Sequence, residues 1–195
     1  MVYRAQNAKA PITIQDTYGN QEHLALHKTA FLCSRETPES SVRKCMDWAV
    51  KQRDLGKCVI SGFHSKTEKD VLEILLSGKQ AIILVMACGI NKKLDPVIQK
   101  AFDAGRILFV SPFTDEFAFP NRERAKTRNQ LVIDLADEVM IGYASKGGMI
   151  EQLSKNIKGK PLEKPQIKGI SPNLKRFIAS IALKCREDED ETEYQ

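Results

Sequence analysis

From Thr29 onward the chain alternates short continuous apolar runs with stretches in which apolar residues recur every three to four positions, and it does so five times before Lys158. A short continuous run suits a strand covered on both faces, and the three-to-four spacing suits an amphipathic helix packed over it. The predicted strands are Thr29–Cys33, Lys57–Ile60, Ala81–Met86, Arg106–Val110 and Glu138–Gly142. Helical spacing follows each of them, at Val42, Cys45, Met46, Ala49 and Val50, at Val71, Leu72 and Leu75, at Val97, Ile98, Ala101 and Phe102, at Leu131, Val132 and Leu135, and at Met149, Ile150, Leu153 and Ile157. Five such alternations predict an α/β fold, a three-layer doubly wound, mainly parallel sheet of the Rossmann-like kind with right-handed crossovers.

The punctuation agrees with this pattern. Thr37 can cap the first helix with Pro38 in its first turn, Ser65 and Glu68 form a capping box for the second, and Asp95-Pro96 opens the third. A longer loop leads through Phe119-Pro120 to a helix from about Asn121 to Ala136. Residues 1 to 28 show no sustained period and are expected to form an arm ahead of a domain spanning 29 to 158. Residues 159 to 186 carry a linker rich in lysine, proline and glycine, then a C-terminal amphipathic helix from Pro172 with Leu174, Phe177, Ile178, Ile181 and Ala182 in one stripe. That stripe is expected to pack on the core, with a homodimer contact as the alternative.

A chain of 195 residues with 42% hydrophobic content supports one core and one domain. No apolar run reaches the roughly 18 residues of a membrane span, and the N-terminus lacks a signal pattern, so a cytoplasmic protein is expected. The five cysteines form no CxxC pair and are expected to be free, mostly buried thiols. His23 and His27 lie four apart, but no further ligand completes a metal site, so no metal is expected and the leader is read as solvated. Charge is unevenly spread: the nine residues from Glu187 to Gln195 hold six of the 25 acidic groups and none of the 30 basic ones, leaving +11 on residues 1 to 186. The basic body favours a polyanionic partner, and the acidic tail is expected to be disordered.

In a parallel sheet the strand C-terminal ends and the following helix N-termini gather on one edge, where ligands bind. The residues that follow the five strands are Ser34-Arg35, Ser61-Gly62-Phe63-His64, Cys88-Gly89, Ser111-Pro112 and Ser145-Lys146-Gly147-Gly148. Small donors and glycines at equivalent places suit close approach of a phosphate to backbone amides. No GxGxxG follows the first strand and no GxxxxGK[ST] occurs, which disfavours an ordinary dinucleotide site or a P-loop. Arg35 can fork onto a phosphate, or pair with Glu36 or Glu39 at the surface. Arg122, Arg124, Lys126 and Arg128 form a second basic cluster, with Arg124 and Arg128 on one helical face, open either to a ligand or to solvent. His64 can donate a proton or hydrogen-bond a neighbour, and no nucleophile with a partnered base is evident.

In order, these turns resemble the Rossmann-like domain of the DNA-processing protein DprA/Smf family, within the wider group that includes Lonely-Guy-type nucleotide phosphoribohydrolases. The resemblance covers about Thr29 to Ile157. Phe31-Leu32-Cys33-Ser34-Arg35 is similar to the family's first strand ending in Gly-Ser-Arg, with Cys33 in place of glycine. Ile60-Ser61-Gly62-Phe63 resembles the start of its Ser-Gly-Leu-Ala-Arg-Gly-Ile-Asp turn, and Cys88-Gly89-Ile90-Asn91 its Cys-Gly-Leu-Asp. Phe119-Pro120, then Arg128-Asn129 through Leu135-Ala136-Asp137, is similar to its Phe-Pro and Arg-Asn-Arg stretch, with Gln130 at the second arginine. The second turn's arginine falls at Ser65, its glycine at Lys66 and its aspartate at Glu68, and Lys66 restores charge without the fork.

The resemblance implies single-stranded DNA bound in a basic pocket at the strand ends, dimerisation, and ligands at Ser34, Arg35, Ser61, Gly62, Arg128 and Asn129. His64, Lys66, Gly89, Ser145, Gly147 and Gly148 join these as expected phosphate or nucleic-acid contacts from their places on the same edge. Recombinase loading is not expected, because the winged-helix and N-terminal helical domains of many members have no room in 195 residues. The expected function is therefore non-catalytic binding of single-stranded nucleic acid without a cofactor. The alternative is a nucleotide-derived small ligand, sensed or cleaved; for cleavage, Lys146-Gly147-Gly148-Met149-Ile150-Glu151 lacks the proline and the Gly-Thr pair that the phosphoribohydrolase motif implies.

Overall fold

The computed structural model of the chain describes residues 2–4, 12–114, 120–155 and 157. The linker, C-terminal helix and acidic tail expected from the sequence, together with Cys185 and Phe119, lie outside the described residues.

The sheet has seven strands, β1 (Val2–Arg4), β2 (Asp16–Gly19), β3 (Lys28–Cys33), β4 (Cys58–Ser61), β5 (Ile82–Val85), β6 (Ile107–Ser111) and β7 (Glu138–Tyr143), in the order β1-β7-β3-β4-β5-β6-β2. The five predicted strands form its parallel centre, β7-β3-β4-β5-β6. Among the described residues five α-helices connect or follow them: α1 (Glu39–Asp54), α2 (Lys66–Leu76), α3 (Pro96–Asp103), α4 (Arg122–Leu135) and α5 (Met149–Ser154).

Successive side chains of a strand point to opposite faces, so each continuous apolar run supplies two cores at once. In β3, Phe31 and Cys33 join the core beneath α1, α2 and α3 with Ala49, Val71, Leu75 and Ala101. Ala30 and Leu32 join the opposite core with Leu131, Val132 and Leu135 of α4 and Ile150 and Leu153 of α5. Phe31 is fully buried against Trp48, with ring centroids 5.1 Å apart. Burying a side chain of that size contributes about 2 to 3 kcal/mol.

The segment read as a loose arm supplies both edge strands instead. β1 runs antiparallel to β7 and β2 antiparallel to β6. Tyr18 stacks on Phe102 of α3 at 4.5 Å, which fastens β2. His23, expected in a solvated leader, is buried in a short 3-10 helix, Gln21–Ala25, and its imidazole pKa is lowered by that burial. Edge strands have a neighbour on one side only, so they need no continuous apolar run, and this is why the period was missing. Among the described residues no group of His, Cys, Asp and Glu side chains could hold a metal, and no helix is long and apolar enough to cross a membrane.

A buried cation locks the start of β3. Lys28 Nζ donates to the carbonyls of Leu24 and Leu26 and to Asp137 Oδ2, at 3.2, 2.6 and 3.2 Å, while Lys28 N donates to the same carboxylate oxygen at 2.8 Å. Removing the carboxylate leaves a desolvated ammonium with only neutral acceptors. Asp137→Ala is expected to lower unfolding free energy by about 2 kcal/mol with an unchanged denaturant slope, measured by urea denaturation.

Candidate nucleic-acid interface

Connections from β3 to β6 step one way across the sheet with α1, α2 and α3 on one face, and α4 then returns over the other face to β7. The loops leaving β3 and β7 therefore part to opposite faces. That divergence opens a crevice at the strand ends, the usual ligand position in such sheets. A cavity of about 650 Å³ occupies it, lined from the ends of β3, β4 and β7 and the front of α4.

One carboxylate shapes the floor. Glu68 is buried, and its Oε1 accepts from Cys33 N at 3.1 Å while Oε2 accepts from His64 N at 2.8 Å and Ser65 N at 3.0 Å. Ser65 Oγ accepts in return from Glu68 N, completing the predicted capping box. The same side chain thus caps α2 and ties the end of β3 to the turn after β4. In that turn Phe63 takes φ +46°, with its N–H donating to Ser61 Oγ at 3.3 Å. Left-handed backbone at a non-glycine residue costs about 1 kcal/mol or more and persists where surrounding structure imposes it.

Arg128 enters from α4 and is only 5% exposed. Its guanidinium lies directly over Gly62, where a β-carbon would overlap it, so the glycine is required for close approach rather than for a turn. Its pKa is lowered by desolvation, which the Glu68 charge opposes, and its Nε has no hydrogen-bond partner. Beside it Asn129 Oδ1 is also buried without a partner, while Asn129 Nδ2 faces Met149 Sδ at 3.4 Å. Arg35 is exposed at the rim, and no ion pair with Glu36 or Glu39 forms. Burial, then the charges of Arg128 and Arg35, push the His64 imidazole below its ordinary pKa.

Of the twelve expected site residues, Ser34, Arg35, His64, Arg128, Asn129, Ser145 and Gly148 line the cavity. Gly62 lies beneath Arg128, and Ser61 is buried under the turn. Lys66 is exposed, Gly89 is half-buried after β5 and Gly147 is exposed at φ +73°, and these three are outside the lining. Phe63, in the loop that follows β4, is buried in the core. Arg124 and Arg128 part company as well, because Arg124 sits over the Phe113 ring at 4.5 Å.

The expected cradle of free amides is largely occupied by the protein itself. Ser34 N donates to Tyr143 O, Ser145 N to Ser34 Oγ, Gly147 N to Glu151 Oε2 and Gly148 N to Ser145 O. At the front of α4 the Asn121 side chain accepts from Arg124 N. The positive character of the cleft therefore rests on side chains, chiefly Arg35, Arg122 and Arg128. Glu68 was legible as a cap and as the counterpart of the family turn's aspartate, whereas Asn121 and Met149 join the wall only through the packing of α4 and α5 at the edge.

No protein-family model matches the chain, and no curated protein matches it in sequence. Among solved structures it is similar to DNA processing protein A from Helicobacter pylori, described for its single-stranded DNA binding mode, with a TM-score of 0.59 and 20% identity over 86% of each chain. The chain has a DprA-like fold. A second DprA, from Streptococcus pneumoniae, superposes with a TM-score of 0.56 and 16% identity over 84% of this chain and 60% of that one.

Glu68→Ala would leave three N–H groups at the strand ends without their acceptor. Each such loss costs about 1 to 3 kcal/mol, so the variant is expected to lose about 3 kcal/mol of stability by chemical denaturation. Glu68→Gln, which keeps one acceptor oxygen, should lose less.

Proposed function

We propose that the cleft binds single-stranded nucleic acid through its backbone phosphates, without catalysis and with little sequence preference. The observation that carries this reading is Arg128, a buried cation with an unpartnered Nε in the wall of a basic cavity. A buried guanidinium without acceptors is costly, and a phosphate oxygen supplies what is missing. Arg35 and Arg122 extend the positive lining beyond Arg128, and the fold is shared with the Helicobacter pylori protein described for its single-stranded DNA binding mode. A cavity of about 650 Å³ also suits a single nucleotide, which is the second reading.

Fluorescence anisotropy with a labelled oligothymidylate tests the proposal, with mononucleotides in parallel by thermal shift. Arg128→Met is the decisive variant, because it removes a desolvated charge. Stability should stay level or rise while oligonucleotide affinity falls by about tenfold or more. If Arg128→Met unfolds the protein, or folds and binds normally, the reading fails. Arg35→Ala should weaken binding and reduce the salt slope of log K by about 0.7, the share of one phosphate on a single strand. Stabilisation by a mononucleotide with no oligonucleotide binding would favour the second reading.

A bound phosphate opposes the Arg35 and Arg128 charges that, with burial, hold the His64 pKa down, so binding raises that pKa and takes up a proton. The other charges facing the imidazole, Glu68 and Lys69, oppose each other in sign. Affinity should therefore increase as pH falls from about 7.5 to about 5.5, and His64→Gln should flatten that dependence. An unchanged slope in His64→Gln would remove the imidazole from the site.

A further inference from the structure

Beneath the cleft two thiols converge at the end of β3. Cys33 is 4% exposed and lines the cavity, and Cys45 on α1 is fully buried behind it. Both sulfurs lie against Gly142 of β7: a β-carbon there would sit 2.5 Å from Cys45 Sγ and 3.3 Å from Cys33 Sγ. Only a glycine leaves room for the pair. Thr37 Oγ1 is 3.2 Å from Cys33 Sγ on its other side.

We propose that Cys33 and Cys45 form a redox-active dithiol at the floor of the cleft, which hydrogen peroxide converts to an intramolecular disulfide. Cys33 is the attacking group, since it alone of the two reaches the cavity. The Cys45 thiol is the main group that stabilises its thiolate and lowers its pKa, while burial and the Glu68 charge oppose it, and the Thr37 hydroxyl proton is donated to Ser34 O at 2.8 Å. Cys45 is held as the neutral thiol by its contact with Cys33 and by burial. A thiol of lowered pKa facing a cavity, with a second thiol behind it, is the arrangement of an attacking and a resolving cysteine.

The Cys33 thiolate attacks one peroxide oxygen, the O–O bond breaks, and the leaving oxygen takes a proton to depart as water, giving a sulfenic acid on Cys33. Cys45 then loses its proton and attacks the sulfenic sulfur. The S–O bond breaks, the oxygen leaves as a second water, and the S–S bond forms. The two thiols together lose two electrons to hydrogen peroxide. None of these steps requires a ligand in the cleft, so the chemistry stands apart from nucleic-acid binding.

The test is hydrogen peroxide treatment of the native full chain, followed by denaturation, alkylation with iodoacetamide and peptide mapping. The expected first product is a peptide pair joined through Cys33 and Cys45 and released by dithiothreitol, with Cys58 alkylated throughout. Burial pushes the Cys58 thiol up to about 12, which keeps it unreactive. In Cys45→Ala the resolving thiol is gone, so dimedone should trap a sulfenic acid on Cys33 in several-fold higher yield than in the unsubstituted chain. In Cys33→Ser, Cys45 should stay fully alkylatable. The proposal is overturned if Cys33 and Cys45 remain alkylatable while other cysteines oxidise, or if Cys33→Ser leaves the oxidation of Cys45 unchanged.

Discussion

The Glu68 carboxylate accepts from Cys33 N, His64 N and Ser65 N, and so joins the end of β3, the turn after β4 and the first turn of α2 in one buried group. Parallel strands offer no hairpin to bind adjacent ends together, and their C-terminal edge would otherwise splay into loops. Here a side chain does what backbone pairing cannot. With that edge fixed, Gly62 lies where the Arg128 guanidinium can cross it, and Cys33 faces the cavity from below.

The electrostatic consequence is a division of labour. Backbone donors at the strand ends are spent on internal acceptors, and Glu68 adds a buried negative charge close to Arg128. A cavity relying on amides would be weakened by such occupation, but a cavity relying on guanidinium groups is not. Glu68 favours the charged form of Arg128 without forming an ion pair within 4 Å, leaving Nε available. The desolvation cost of that cation is borne by the rest of the fold, where two apolar cores flank the sheet.

Small residues at the strand ends serve the same economy. Gly62 admits a guanidinium and Gly142 admits two thiols, each by lacking a β-carbon rather than by adopting an unusual backbone. A β-carbon at Gly62 would overlap the Arg128 guanidinium, and one at Gly142 would crowd Cys45, Phe31 and Cys33. Sites of this kind can change ligand or reactivity through one substitution while the architecture persists.

The sequence by itself determined the five parallel strands, their helices and the edge on which the loops meet. Continuous apolar runs such as Thr29–Cys33 are needed by any strand covered on both faces, and that demand is written locally. It also determined the Ser65–Glu68 cap, whose spacing is fixed by one helical turn. Only the tertiary structure decided that residues 2–4 and 16–19 flank the sheet, because an edge strand takes its hydrogen bonds from partners distant in the chain, Glu138 to Met140 for the first and Leu108 to Ser111 for the second, and carries no period of its own. Tertiary structure likewise chose which loop residues became wall and which became surface. Ser61, Gly62, Phe63 and His64 are adjacent in the chain, yet one is buried beneath the turn, one lies under a guanidinium, one belongs to the core and one stands at the rim. Gly62 owes its place to Arg128 reaching over it from α4, and Phe63 owes its place to the core beneath α1, α2 and α3, packing outcomes that no local pattern encodes.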